Sequence, residues 1–324
     1  MRELTYAQAI NEGIREEMRR DAQMVVMGED VGKYGGVFGV TRGLFDEFGG
    51  ERVRDCPLNE AAIVGFAVGL ALSGRTTMAE LEFMDFVTFA MDPVVNQAAK
   101  LRYFWGGQVG VPLVVRMPIA AQLGFGSQHS QSLEAWFMHV PGLKVAMPAT
   151  PYDAKGLIKT ALRDHNPVIF AEAISLYPTR GEVPEDDYTV PFGQAEIKRA
   201  GSDVTVVAIG AMVPKALKAA EELAQQGLEI EVIDPRTLVP LDIDTIVESV
   251  KKTGRLVVTH LAHKVGGVGA EIAQQVTELA FNYLDAPVKR VAAAQVPAAA
   301  SQNLEAALYP GTPEIVAACL AFKR

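Results

Sequence analysis

An α/β fold built on parallel sheets and divided into two domains is what the sequence predicts, and three observations carry that prediction. The second half alternates β-branched apolar runs with helical stretches of ten or more residues, the signature of βαβ units. The chain is 49% hydrophobic and 21% charged, values of a core-forming chain rather than a disordered one. Its 324 residues, at roughly 150 per domain, make two domains.

The elements follow in chain order. Thr5 can cap a helix, Gln8 lies three residues on, and Ile10, Ile14 and Met18 repeat at helical spacing. Residues 24–27 (MVVM) read as a short buried strand closed by Gly28-Glu29-Asp30. The glycine-rich run YGGVFGVTRG precedes a helix-like piece that ends at Phe48-Gly49-Gly50. Residues 59–73 (NEAAIVGFAVGLALS) are almost wholly small and apolar, which predicts a core helix too short to span a bilayer comfortably. Residues 76–80 and 113–117 resemble interior strands, with 92–101 a helix between them, and Pro112, Pro118, Pro141 and Pro148 punctuate turns. The acidic, Pro-containing stretch 177–192 (YPTRGEVPEDDYTVPF) reads as the connection between domains. Beyond it, strands at 203–209, 229–233, 255–259 and 288–291 alternate with helices at 213–226, 243–252 and 270–283. The expected domains are residues 1–176 and 201–324, with 177–200 as linker.

Composition narrows the function. Thirty Lys and Arg against 39 Asp and Glu give a net charge of −9, the wrong sign for gripping a polyphosphate backbone, so nucleic acid is not an expected partner. Cys56 and Cys319 stand far apart, which excludes a disulfide framework and a cysteine-based zinc site. The charged start MRELTYAQAINEGIREEMRRD lacks the apolar core of a signal peptide, and no apolar run reaches the about 18 residues of a membrane span. A cytoplasmic location is expected.

No complete phosphate cradle is legible. Neither Gly35-Gly36 nor Gly106-Gly107 belongs to GxxxxGK[ST], GGVGAE at 266–271 does not complete GxGxxG, and no Gly-Asp-Gly precedes a downstream Asn. Of five histidines, His260 and His263 lie at a strand end without a carboxylate at ligand spacing, which favours packing or surface roles. His129 sits in a polar, glycine-bearing loop (GFGSQHSQS) after a buried strand, where chemistry is usually mounted. Glu60 stands in the first turn of the apolar helix. It is either an acid favoured there by the macrodipole, or one whose burial raises its pKa above about 4.3 and lets it share a proton with a ligand nitrogen. Glu29 and Asp30, at a strand end, carry the same two readings.

Taken in order and spacing, GEDVGKYGGVFGVTRGL, RDCPLNEAAIVGFAVGLA, EFMDF, QAAKLRYFWGGQ, GSQHSQSLEAWFMHVPGLKVAMPATPYDAKGL, RDHNPVIF, GEVPEDDYTVPFG and EVIDPRTLVPLD resemble one family. It is the beta subunit of the thiamine-dependent decarboxylating component of 2-oxo-acid dehydrogenase complexes, among them pyruvate, branched-chain and acetoin dehydrogenases. The resemblance implies a transketolase-like pyrimidine-binding domain, a transketolase C-terminal domain and an α2β2 heterotetramer. It also implies that the alpha chain holds the diphosphate and its magnesium, so that the missing Gly-Asp-Gly loop belongs to a partner.

Residue by residue, the resemblance implies that Glu60 hydrogen-bonds the aminopyrimidine ring nitrogen of thiamine diphosphate, favouring the tautomer that generates the ylid. Phe86 would pack on the pyrimidine, with Leu58 in the same pocket. His129 would face the reacting centre and assist reductive acylation of a lipoyl group. Glu29 matches an acid in the passage between two cofactor sites. A potassium site held mainly by backbone carbonyls is implied at Leu113, Ala161, Leu162, Asp164 and Asn166, against the competing reading of a plain helix C-terminus.

The sequence departs from this pattern at Leu261, where relatives often carry an acid. It departs again at Val296-Pro297-Ala298-Ala299-Ala300-Ser301 in place of a Pro-and-aromatic tail, and at Ala173-Ile174-Ser175 in place of His-Lys after Glu172. The resulting expectation is an oxidoreductase subunit acting on pyruvate or a branched 2-oxo acid, partnered by an alpha chain and a lipoylated acyltransferase. The alternatives are an acetoin dehydrogenase subunit and a non-catalytic scaffold.

Overall fold

The computed structural model describes residues 1–323, which divide into two compact units: residues 1–120 with 136–192, and residues 121–135 with the chain from Gly193 onward. The first unit contains strands β1 (Arg2–Thr5), β2 (Val25–Gly28), β3 (Val53–Asp55), β4 (Thr77–Glu80), β5 (Leu113–Ile119), β6 (Lys144–Ala146), β7 (Val168–Ala173) and β8 (Arg180–Val183). Its helices are α1 (Tyr6–Arg20), α2 (Leu44–Phe48), α3 (Glu60–Leu72) and α4 (Ala99–Phe104). After the short α5 (Glu134–Met138), which opens in the second unit, comes α6 (Pro151–Leu162).

The expected start of α1 forms as a capping box. The Thr5 hydroxyl accepts from the Gln8 amide at 3.2 Å, and the Gln8 side chain accepts from the Thr5 amide at 2.9 Å. Ile10, Ile14 and Met18 are fully buried on the stripe that α1 turns against α6. Within this unit the strand order is β6-β7-β5-β4-β2-β3, all parallel. Every residue of β2, β4, β5 and β7 is buried, as interior strands of a parallel sheet require. From β2 the chain moves outward to β3 and returns to the other flank of β2 as β4. The strand order therefore reverses between β2 and β4, and ligands of open α/β sheets bind at the carboxyl ends of the strands at such a reversal.

The second unit contains β9 (Glu196–Arg199), β10 (Val204–Ala208), β11 (Ile230–Asp234), β12 (Thr237–Val239), β13 (Leu256–His263) and β14 (Lys289–Ala293). Its helices are α7 (Met212–Ala224), α8 (Ile243–Thr253), α9 (Val268–Ala280), α10 (Gln302–Ala306) and α11 (Thr312–Leu320). Its sheet runs β14-β13-β10-β11-β9, parallel except for the edge strand β9. The strands and helices expected from alternation in this half form within a few residues of their predicted ends.

Three features differ from expectation. β1 and β8 pair antiparallel, so the stretch taken as a connection contributes a strand. Their sequences, RELT and RGEV, carry charge and no apolar alternation. The helix expected at 92–101 is longer and changes pitch, running as a 3₁₀ turn at Met84–Ala90, a π-helical stretch at Asp92–Ala98 and then α4. Residues 121–135 pack with the second unit. There the buried Glu305 carboxylate accepts from the amides of Gln122, at 3.0 Å, and Gly124, at 2.5 Å, and the Tyr309 hydroxyl donates to the Ser130 carbonyl at 2.9 Å. Among the described residues no helix is long and apolar enough to cross a membrane.

Candidate active site

The carboxyl ends of β2, β3 and β4 deliver an acidic group. Glu29 follows β2, Glu82 follows β4, and Glu60 opens α3 just beyond β3. Asn59 caps α3 by accepting from the Ala62 amide at 3.0 Å, which makes Glu60 the first helical residue, where the macrodipole favours a carboxylate. Glu60 is only 9% exposed, and among the described residues no hydrogen bond or ion pair engages its carboxylate. A nearly buried acid left uncommitted is free to serve a ligand.

Its neighbours register the crowding. Burial first, then the charges of Asp30 and Glu60, push the Glu29 carboxyl above its ordinary value. Glu82 is pushed up to about 7, by burial and then by Glu29, Asp30, Glu80 and Glu60. Like charges in one site cannot all ionise cheaply, so this group holds a proton near neutral pH. Glu82 is a candidate that the sequence reading passed over. Its signal was Glu80-Leu81-Glu82, two acids two residues apart at the end of a largely apolar strand.

Beneath the acids lies a fully buried ion network, likewise unread in the sequence. Arg116 of β5 donates from Nη2 to Glu172 of β7 at 2.7 Å and from Nη1 to Glu80, the last residue of β4. The Tyr177 hydroxyl donates to Glu172 at 2.7 Å and accepts from Arg116 at 2.8 Å. Burial drives the Tyr177 hydroxyl far above its usual range. Glu172 and then Glu80 hold the Arg116 guanidinium charged against the cost of its own burial. One arginine thus clamps three neighbouring strands at the end from which Glu82 emerges. The hint was a lone arginine inside LVVRMPI.

The glycine-rich loop closes over these ends. The Gly32 amide donates to Asp55 at 2.6 Å, and Gly36, at φ +79, brings backbone so near that a Cβ would stand 3.1 Å from a Glu80 oxygen. An aromatic chain adjoins it, Phe38 edge-on to Phe83 at 5.3 Å and Phe83 edge-on to Phe86 at 5.4 Å. Phe86 lies half-buried in the 3₁₀ turn. Leu58 is 70% exposed on the loop before α3.

The other predicted site residues belong to other elements. His129 is half-buried and belongs to the second unit, where its amide donates to the Gly126 carbonyl at 3.3 Å. Of the proposed potassium ligands, Ala161 and Leu162 end α6 and Leu113 begins β5. The Val111 amide bonds to the His165 carbonyl at 2.9 Å, which draws the two segments together. The Asp164 carboxylate is engaged by Lys144 and by Asn166, whose amide and side chain both donate at 2.9 Å. Its pKa is lowered, because those partners outweigh burial. His260, fully buried in β13, is pushed down to about 4 by burial, as fits packing rather than ligation.

The pyrimidine-binding domain of transketolase matches residues 2–180, and the transketolase C-terminal domain matches residues 193–315. The chain is 45% identical to the pyruvate dehydrogenase E1 component subunit beta of Rhizobium meliloti over 98% of its own length and 69% of that protein's. It is 45% identical to the acetoin:2,6-dichlorophenolindophenol oxidoreductase subunit beta of Cupriavidus necator, covering 98% and 96%. It is also 45% identical to the 2-oxoisovalerate dehydrogenase subunit beta of Bacillus subtilis, covering 91% and 90%. A solved structure described as a split-gene transketolase in an inactive beta4 tetramer superposes with a TM-score of 0.81 at 24% identity, over 98% of this chain and 97% of that one, and so shares the fold. With two transketolase domains end to end and relatives this similar along nearly its whole length, the chain belongs to the transketolase-type beta-subunit family of the 2-oxo-acid and acetoin dehydrogenases.

Proposed function

We propose that this chain is the beta subunit of the first component of a 2-oxo-acid dehydrogenase complex, decarboxylating pyruvate or a branched 2-oxo acid with thiamine diphosphate and passing the acyl group to a lipoyl domain. The observation that carries the proposal is Glu60: a carboxylate nearly buried, placed by a capped helix start, and uncommitted to any partner. That arrangement fits an aminopyrimidine, whose ring nitrogen needs one acid to share its proton. Glu29 after β2, Glu82 after β4 and the Phe83–Phe86 aromatic pair lie in the same unit and suit a flat, hydrogen-bonding ring.

Thiamine diphosphate, when bound, supplies the electron sink for decarboxylation. The chain's own residues do the rest. Glu60 holds the proton at the ring nitrogen, Phe86 packs on the ring, and Leu58 covers it. Glu29 keeps a proton close by in the passage toward a second site. His129 hydrogen-bonds the substrate oxygen and assists transfer to the lipoyl group. The diphosphate and its Mg2+ would fall to an alpha subunit in an α2β2 assembly, a lipoylated acyltransferase would receive the product, and K+ would be held by carbonyls at the end of α6 and the start of β5.

Reconstitution with an alpha subunit and thiamine diphosphate tests this, with pyruvate, 2-oxoisovalerate and acetoin assayed side by side. Glu60→Gln should cut cofactor-dependent decarboxylation by roughly 10²–10⁴, the usual worth of a positioned proton-transfer group. Undiminished turnover in that variant would overturn the proposal, and turnover of acetoin alone would reassign the substrate.

A further inference from the structure

A row of aromatic rings joins the buried network at Arg116 to Phe86, and the chemistry above leaves it without a task. Tyr177, 7% exposed, follows the short turn after β7, and its hydroxyl is held from both sides, accepting from Arg116 and donating to Glu172. Its ring lies nearly parallel to that of Tyr6 at 6.0 Å, and the Tyr6 hydroxyl donates to the Pro148 carbonyl at 3.1 Å. Tyr177 meets Phe38 edge-on at 6.2 Å, Phe38 meets Phe83 at 5.3 Å, and Phe83 meets Phe86 at 5.4 Å. Every ring of the row lies in the first unit.

The members of the row differ in firmness. Tyr177 is fixed in the core by hydrogen bonds to charged partners, which are the strong ones. Phe38 is half-buried on the glycine-rich loop and forms part of the wall of a cavity of about 640 Å³ along α1. The loop backbone is tied on either side of it, the Gly36 amide donating to the Asp30 carbonyl at 2.8 Å and the Thr41 hydroxyl to the Val31 carbonyl at 2.8 Å. Such bonds fix where a side chain begins but not how its ring turns. Toward the cavity the ring has no partner atoms, so its contacts with Tyr177 and Phe83 are what orient it.

We propose that Tyr177 and Phe38 are positioning residues for the cofactor ring, an assignment that rests on the thiamine reading above, in which Phe86 packs on the aminopyrimidine. The hydroxyl anchor holds Tyr177, Tyr177 orients Phe38, and Phe38 acts through Phe83 on the plane of Phe86. Aromatic contacts depend on the angle and offset of the two rings, so a Phe86 free to tilt loses part of its hold on a flat ligand.

Calorimetric titration of the chain reconstituted with an alpha subunit, using thiamine diphosphate and Mg2+ without substrate, measures the effect directly. Phe38→Leu and Tyr177→Leu should each weaken cofactor binding about two- to tenfold, the worth of one edge-on pair, while Phe38→Tyr, which keeps the ring, should stay within about twofold of wild type. In steady state the KM for the cofactor should rise with kcat unchanged, because binding shared by ground and transition states moves KM alone. Phe38→Leu is then placed on a Phe86→Ala background, where the row has nothing left to position and no further loss is expected. Should Tyr177→Leu fail to fold, Phe38→Leu decides. Wild-type affinity in Phe38→Leu would overturn the assignment, and so would an equal loss on both backgrounds, the mark of a general loosening. Absence of cofactor binding by the wild-type assembly would overturn the thiamine reading itself, and this assignment with it.

Discussion

Glu82 shows how a residue acquires a role that its type does not announce. A glutamate in water ionises near pH 4, yet here burial and four neighbouring carboxylates carry it to about 7. Because its folded pKa lies above the unfolded value, its protonated form stabilises the fold at low pH, and that stability is lost as pH rises from about 4.5 through about 7. Glu82→Gln should therefore stabilise the chain at pH 8 by roughly 1–2 kcal/mol after allowance for solvent screening, and change little at pH 5. Urea midpoints at the two pH values read this out, and equal shifts at both would refute it. His260 works in the opposite sense. Its folded pKa of about 4 lies below the ordinary 6.5, so stability present above pH 6.5 drains away as pH falls toward 4. The loss between pH 7 and pH 4 should be roughly 3 kcal/mol, and it should be absent from the acid slope of His260→Leu. Glu60, Glu29, Phe86 and His129 were legible as candidates because motif and chain position mark them. Glu82 was not, because its perturbation comes from strands distant in sequence that only the parallel sheet lines up.

At the scale of elements, the legible ones share local causes. The capping box and the Ile10–Ile14–Met18 stripe of α1 are written within one segment, and so are the β-branched runs of β10, β11 and β13. β1 and β8 were illegible because each is polar and exists only through the other. Of the 3₁₀-to-π-to-α run at 84–104 only 92–101 is expected from sequence, as a helix of ordinary pitch, since composition does not encode a change of winding. Changes of helical pitch often mark functional sites, and here the 3₁₀ turn carries Phe86. The clamp at Arg116 makes the strands β4, β5 and β7 interdependent. Arg116→Leu would strand Glu80 and Glu172 in the core without their cation, and should cost roughly 3–5 kcal/mol of unfolding free energy in denaturant titrations. A loss under about 1 kcal/mol would mean that the carboxylates simply take up protons instead.

For the whole molecule, the −9 net charge and 49% apolar content acquire a division of labour. A cluster of large side chains stays in solvent at the end of α4, with Tyr103 at 90%, Phe104 at 81% and Trp105 at 53% exposure. Obligate interfaces are apolar in this way, and an alpha chain or a second copy of this chain would cover the patch in the proposed assembly. Tyr103→Ser with Phe104→Ser should abolish co-purification with an alpha subunit while leaving the melting temperature of the isolated chain unchanged. Retained assembly would move the interface elsewhere. The excursion of residues 121–135 reaches further still. The polypeptide passes between its two units at 120/121, 135/136 and 192/193, so no single cut yields both units intact. Cleavage after residue 192 would leave the His129 loop on the wrong fragment and Glu305 without the two amides it accepts from. A gene fission at that point could succeed only if the halves found each other again.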